Sequence, residues 1–140
     1  MAFAQTHAAI SLALAVVLWV VQTIIYPAFS AIDPAQFQKW HEAYTGKIAK
    51  IVAPLIFLQA IGVAIRRGYL SETTPLWIAE CALTVAAWMV TAMVSVPLHR
   101  SLQKARSEKA IQLLVRTNWV RTIAWSGTAL CSWVAACSNH

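Results

Sequence analysis

Apolar runs of about twenty residues dominate this chain and leave little room for a water-soluble fold. The first extends from about His7 to Phe29, and comparable runs cover about residues 48–65, 75–98 and 117–136. Roughly 20 apolar residues in a helix cross the hydrocarbon of a bilayer. A spanning segment must also satisfy its backbone polar groups internally, which a helix does alone. The pattern therefore predicts an all-α fold, an integral membrane four-helix bundle forming a single transmembrane domain over residues 1–140. Composition supports this: 11% of residues are charged, against about 25% in soluble domains. No basic region precedes the first run and the run is long, so it reads as a retained span rather than a cleaved signal.

The charge balance is +6, and its placement predicts orientation. The first loop carries Lys39 and Lys47, with Lys50 beside it. The third carries Arg100, Lys104, Arg106, Lys109 and Arg116, with Arg121 at its edge. The second has only Arg66 and Arg67. The positive-inside rule then places loops one and three in the cytoplasm and both termini outside, in a multi-pass protein of the bacterial inner membrane. Basic residues between apolar runs point to anionic lipid headgroups and the bilayer as partner, with no nucleic acid.

Two connectors have amphipathic patterns and are expected as short interfacial helices after spans one and three. Asp33-Pro34 is a helix start signal. Phe37, Trp40 and Tyr44 then form one aromatic stripe, with Gly46 as a break or bend. After span three, Leu102, Ile111, Leu114 and Val115 oppose Lys104, Arg106, Glu108 and Lys109. RRGYLSETTP reads as a short polar turn, and Tyr26-Pro27 as the end of the first span. Cys81, Cys131 and Cys137 have no metal-type spacing and read as small core residues.

Counting from the span ends groups the polar residues into two layers. The cytoplasmic layer gathers Gln22, Tyr26, His41, Tyr44, Ser95, His99, Asn118, Arg121 and Thr122. Asn118, Arg121 and Thr122 lie three and four apart, on one helix face. This layer has a structural reading, in which Arg121 meets lipid phosphates or Glu42. Its functional reading is a cytoplasm-facing pocket. There His41, His99 and Arg121 are the candidate catalytic residues, and Tyr26, Trp40, Tyr44, Asn118, Trp119 and Thr122 the ligand-binding ones, with Trp40 and Trp119 stacking on a ring. The histidines also read as candidate metal or haem ligands, but no acid stands at the Glu-x-x-His spacing of a di-iron site, so no metal site is predicted. The residues specify no cofactor. A second layer toward the outside holds Gln59 and Glu80, with His7 as a candidate partner. A carboxyl inside a membrane is either functional or a hydrogen-bonded link between helices.

The Tyr26-Pro27 pair, Phe37 and His41, the proline-bearing second span, Val96-Pro97-Leu98-His99 and Asn118-Trp119-Val120-Arg121-Thr122 resemble a family of small bacterial four-span membrane proteins of uncharacterised activity. The resemblance covers most of the chain. In size and layout the chain is also weakly similar to anthrone oxygenase-like membrane proteins, which oxidise polycyclic phenolic substrates. That likeness implies an oxidoreductase and rests on layout and the Asn/Arg cluster.

Three functions compete. The first is a pocket binding an apolar or aromatic small molecule such as a quinone, polyketide or lipid. The second is a structural subunit of a larger membrane complex or homo-oligomer. The third is a small proton-coupled transporter using Glu80. No P-loop, HExxH or GxSxG motif is present.

Overall fold

The computed structural model describes residues 2–68, 71 and 73–138. Tyr69, Leu70 and Glu72 of the expected polar turn lie outside the described residues, as do the terminal Asn139 and His140. The described chain forms four helical rods. The first joins α1 (Ala2–Val20), a π-helical turn (Val21–Ile25), α2 (Tyr26–Ala28) and a 3₁₀ turn (Phe29–Ala31). The second is α3 (Pro34–Gly68). The third joins α4 (Pro75–Val90), a second π-turn (Thr91–Ser95) and α5 (Val96–Lys104). The fourth is α6 (Glu108–Ser138). The first three rods are each long and apolar enough to cross a membrane.

Two sequence expectations change at the first loop. Neither Tyr26-Pro27 nor Gly46 ends a helix. A proline ring clashes with the carbonyl four residues back, and the preceding turn widens to relieve it. The Tyr26 N–H reaches Val21 O, and the Val96 N–H ahead of Pro97 reaches Thr91 O, both five residues back. At Gly46 the helix runs on, because a helical glycine costs only about 1 kcal/mol and the inward face of α3 is anchored on both sides. The expected interfacial helix is therefore the N-terminal part of α3. At 35 residues and about 1.5 Å per residue, α3 is longer than a hydrocarbon core of about 30 Å requires. The third connector also shrinks. α5 continues the third rod, and only Ala105–Ser107 separate it from α6.

Caps start the rods that follow the loops. Asp33 Oδ1 accepts the Ala35 N–H at 2.7 Å, Thr74 Oγ1 accepts the Trp77 N–H at 3.2 Å, and Ser107 Oγ accepts the Ala110 N–H at 3.3 Å. Pro34 and Pro75 are the first residues of their helices, where a missing N–H costs nothing.

α6 is the central rod. It packs along α1 on one side and α4 on the other, whereas α3 packs on α1 and barely touches α4. Ala124, Thr128, Ala129 and Ser132 on the buried face of α6, with Ala8, Ser11 and Ala15 on α1, let the backbones approach closely. Two apolar clusters result. One lies mid-bundle, with Leu14, Leu18, Ile56, Ala87, Ala124 and Trp125. The other lies at the loop-one and loop-three end, with Phe29, Phe37, Leu102, Ile111 and Leu114. Arg106 ties that end together: it lies 5.5 Å from the Phe37 ring centroid, donates to Ser30 O at 3.0 Å and pairs with Glu108 at 2.5 Å. Outside the bundle, Ile24, Met93, Ile123 and Leu130 are each more than 60% exposed, a belt that suits lipid and not water.

Trp125 is fully buried in the mid-bundle cluster, while Trp133 on the same helix is mostly exposed. Trp125→Ala is expected to destabilise the bundle by about 3 kcal/mol through the cavity it leaves. Trp133→Ala should cost under about 1 kcal/mol. Thermal unfolding of both variants in the same detergent measures the difference.

Candidate functional site

The cytoplasmic polar layer of the sequence reading is assembled as a hydrogen-bonded sheet of side chains between the two apolar clusters. Its centre is Asn118 on α6. Asn118 Nδ2 donates to Gln22 Oε1 at 2.8 Å, and its Oδ1 accepts from Arg121 at 2.9 Å. Gln22 in turn donates to the Val115 carbonyl at 3.2 Å. The Thr122 hydroxyl folds back on the Asn118 carbonyl at 3.0 Å. Arg121 makes a long contact of 3.5 Å to Ser95 Oγ. Gln22 and Ser95 both sit in the π-turns. Such turns are common at functional sites, and here both carry a buried polar residue. Gln22, Ser95, Asn118, Arg121 and Thr122 are all buried.

A second chain of hydrogen bonds leaves this layer toward loop one. Tyr26 Oη lies 3.0 Å from His99 Nε2, and His99 Nδ1 lies 3.0 Å from His41 Nε2. The imidazoles are roughly stacked, 5.2 Å between centroids. The chain has two polarities. Tyr26 donates to His99 and His99 to His41, or every bond runs the other way. Either way His41 Nδ1 is buried without a partner among the described residues. His41 itself is fully buried, against Phe37 and Phe29.

A cleft of about 310 Å³ opens beside these groups, between α3 and the third rod. Tyr26, Ser95 and Arg121 form its buried floor, with His99 beside them. Leu18, Val21, Ile48 and Val52 supply apolar wall, and the exposed Ala49, Val96, Arg100 and Gln103 frame its mouth. A few polar groups converging on an apolar wall are the usual make-up of a ligand site.

The candidates of the sequence reading separate at this point. His99, Arg121, Tyr26 and Tyr44 line the cleft. His41 bonds to His99 and Asn118 to Arg121, so these two hold cleft residues and do not line it, and Thr122 in turn bonds to Asn118. Trp40 and Trp119 are not in the cleft either. Trp40 stacks on Tyr44 at 5.4 Å, and Trp119 meets Trp19 edge-on at 5.5 Å, on outward faces. Arg121 is not paired with Glu42: it is buried between the rods, and Glu42 is exposed. Thr45, Arg100 and Gln103 were missed. They are ordinary loop-side polar residues in sequence, and only the crossing of α3 with α5 brings them together. Among the cysteines, Cys81 and Cys131 are half-buried, but Cys137 is exposed and not a core residue.

The second layer is denser than expected. His7 Nε2 lies 2.7 Å from Glu80 Oε1, and Arg66 pairs with Glu80 Oε2. Gln59 donates to Glu80 Oε1 at 3.4 Å and to Thr84 Oγ1 at 3.1 Å. All five side chains are buried. Arg66, read from sequence as part of a polar turn, is instead the counter-charge of the buried carboxylate. The last turn of α3 stays helical and folds it inward. His7 seats against Gly62, where any Cβ would overlap its ring.

No known protein family, curated protein or solved structure matches the chain. Its class rests on its own architecture: an all-α bundle with three helices long and apolar enough to cross a membrane, hence a helical membrane protein.

Two substitutions test these layers. Gly62→Ala is expected to push His7 off Glu80 and lower the midpoint of thermal unfolding, while His7→Ala added to it should recover part of the loss. A double variant no better than the sum of the singles refutes that coupling. Asn118→Ala should cost about 1–3 kcal/mol, since it strips acceptor and donor from Arg121 and Gln22 together. Asn118→Leu, which removes the same bonds at similar volume, should be no better.

Proposed function

We propose that this chain is an integral membrane protein that crosses the bacterial inner membrane four times and binds an amphiphilic small molecule in the cleft between α3 and the third rod. α6 is the fourth span. It is 31 residues long, and Asn118, Arg121, Thr122, Thr128 and Ser132 along it are buried inside the bundle. The basic loops one and three lie on the cytoplasmic side. The ligand is a quinone, polyketide or lipid-like compound. Its apolar body lies along Leu18, Val21, Ile48 and Val52, and its polar end reaches Tyr26, Ser95, His99 and Arg121.

The observation that carries this reading is the position of the cleft. Its polar floor lies at the level of an apolar outer surface, where Ile24, Met93 and Ile123 face outward. A compound dissolved in the bilayer meets the mouth by lateral diffusion. A water-soluble one has to cross the same belt. The Tyr26–His99–His41 chain gives the polar end a neighbouring phenol and imidazole that can give or take a proton in either polarity. That suits an oxidoreductase handling a hydroxyl or carbonyl compound.

Glu80 has a different part. Both its oxygens are engaged, by His7, Gln59 and Arg66, and it ties the first three rods together at the opposite end.

The test is extraction of the protein purified in mild detergent, followed by mass spectrometry and an absorption spectrum. One apolar compound is expected in roughly stoichiometric amount from wild type. It should be lost from Ala49→Trp, which fills the mouth of the cleft from an exposed position. A wild-type protein that carries no such compound, takes none up from added quinone or fatty acid, and co-purifies stoichiometrically with a larger complex would be an accessory subunit instead.

A further inference from the structure

The chain buries two arginines, and they are treated differently. Arg66 is 4% exposed and is paired with the fully buried Glu80. Arg121 is 6% exposed, and among the described residues no carboxylate stands within ion-pair distance of it. Of the described acids, Glu80 is engaged at the other end of the bundle, Glu108 pairs with Arg106, and Asp33 and Glu42 are exposed. Arg121 instead meets neutral oxygens, Asn118 Oδ1 at 2.9 Å and Ser95 Oγ at 3.5 Å. Its Nε–H is buried and has no acceptor among the described residues.

A guanidinium removed from water without a counter-ion is costly by several kcal/mol. Neutral oxygens recover only part of that. Arg121 also cannot reach headgroups along its own helix, because Val120 and Ile123 beside it face outward. Arg121 borders the cleft. Around it there stand the Tyr26 and Ser95 hydroxyls, both able to donate, and Arg100 at the mouth adds a second positive charge. The cleft is therefore positive at both ends of its polar wall, and its lining includes no carboxylate.

We propose that the compound bound in this cleft carries an anionic oxygen head, a carboxylate or phosphate, which pairs with Arg121 and accepts from Tyr26 or Ser95. This rests on the reading of the cleft as an amphiphile site and narrows it. Guanidinium and oxyanion form charge-assisted, fork-shaped hydrogen bonds, and the head supplies the counter-charge that the chain supplies for Arg66 but not for Arg121. The volume of about 310 Å³ is at the lower end for ligand pockets. It takes a head and the adjoining part of one chain, with the remainder lying in the bilayer. Two sources offer this chemistry: a free single-chain acid and an acidic phospholipid.

The experiment compares matched charged and uncharged probes on the full-length protein in dodecyl maltoside. The pairs are radiolabelled palmitate against hexadecanol, and phosphatidylglycerol against phosphatidylcholine. At least one anionic probe is expected to bind roughly tenfold or more tightly than its neutral counterpart. Preference for palmitate names the free acid as the source, and preference for phosphatidylglycerol names the lipid. Arg121→Gln should abolish the preference and Arg121→Lys should keep part of it. Equal binding of charged and neutral probes to the wild type overturns the anionic head while leaving the amphiphile site standing. Binding of no probe, quinone included, overturns both. The wild-type comparison decides the matter even where an Arg121 variant fails to fold.

Discussion

A guanidinium inside an apolar helix bundle must be surrounded by oxygen atoms, and much of this structure follows from meeting that need at Arg121. Asn118, one turn earlier on the same helix, gives it an acceptor at 2.9 Å. Gln22 on the first rod holds Asn118 by the amide it has left, at 2.8 Å. Ser95 closes the ring from the third rod. α6 can carry this cluster only from the centre of the bundle, with α1 and α4 on either side. That also explains its sequence. It carries Asn118, Arg121, Thr122, Thr128 and Ser132 through its apolar stretch because all five are buried against the other rods.

Two prolines shape the ring. Pro27 and Pro97 each follow a π-turn that widens the helix where an ordinary turn would clash. Gln22 and Ser95 lie in those turns and are buried beside α6. The rods then continue beyond the turns into the aromatic cluster of Phe29, Phe37 and Leu102. The polar layer thus has an apolar cluster on either side of it. A cleft opens beside this layer, between α3 and the third rod.

The other end of the bundle solves a similar problem within the chain. Glu80, Arg66 and His7 come from three rods and meet at the carboxylate, with Gln59 bonded to Glu80 and Thr84, while His7 Nδ1 has no partner among the described residues. Gly62 leaves room for the His7 ring. A carboxylate with both oxygens engaged in this way is costly to separate from its partners. The Arg121 layer is open on one side and keeps an unused N–H. The difference between an arginine paired with a carboxylate and one that borders a cleft without one separates the two layers.

Much of the architecture was legible in the residues. Long apolar runs leave helices as the only backbone-satisfied solution in a bilayer, so the all-α bundle follows from composition and run length alone. Asn118, Arg121 and Thr122 share a face by helical spacing, and Glu80 had to find partners wherever the chain placed it. The identity of those partners was not legible. Arg66 looked like a loop residue until the last turn of α3 turned it inward. Trp40 and Trp119 looked like ring-stacking residues until helix rotation put them on outer faces. Gly46 and Tyr26-Pro27 looked like helix ends until packing and π-turns carried the rods past them. Helical periodicity and hydropathy act over one turn or one span, so sequence determines them. Which face meets which, and therefore which arginine gains a carboxylate and which is left facing a cleft, depends on the rotation and crossing of whole helices. Only the packed bundle decides that.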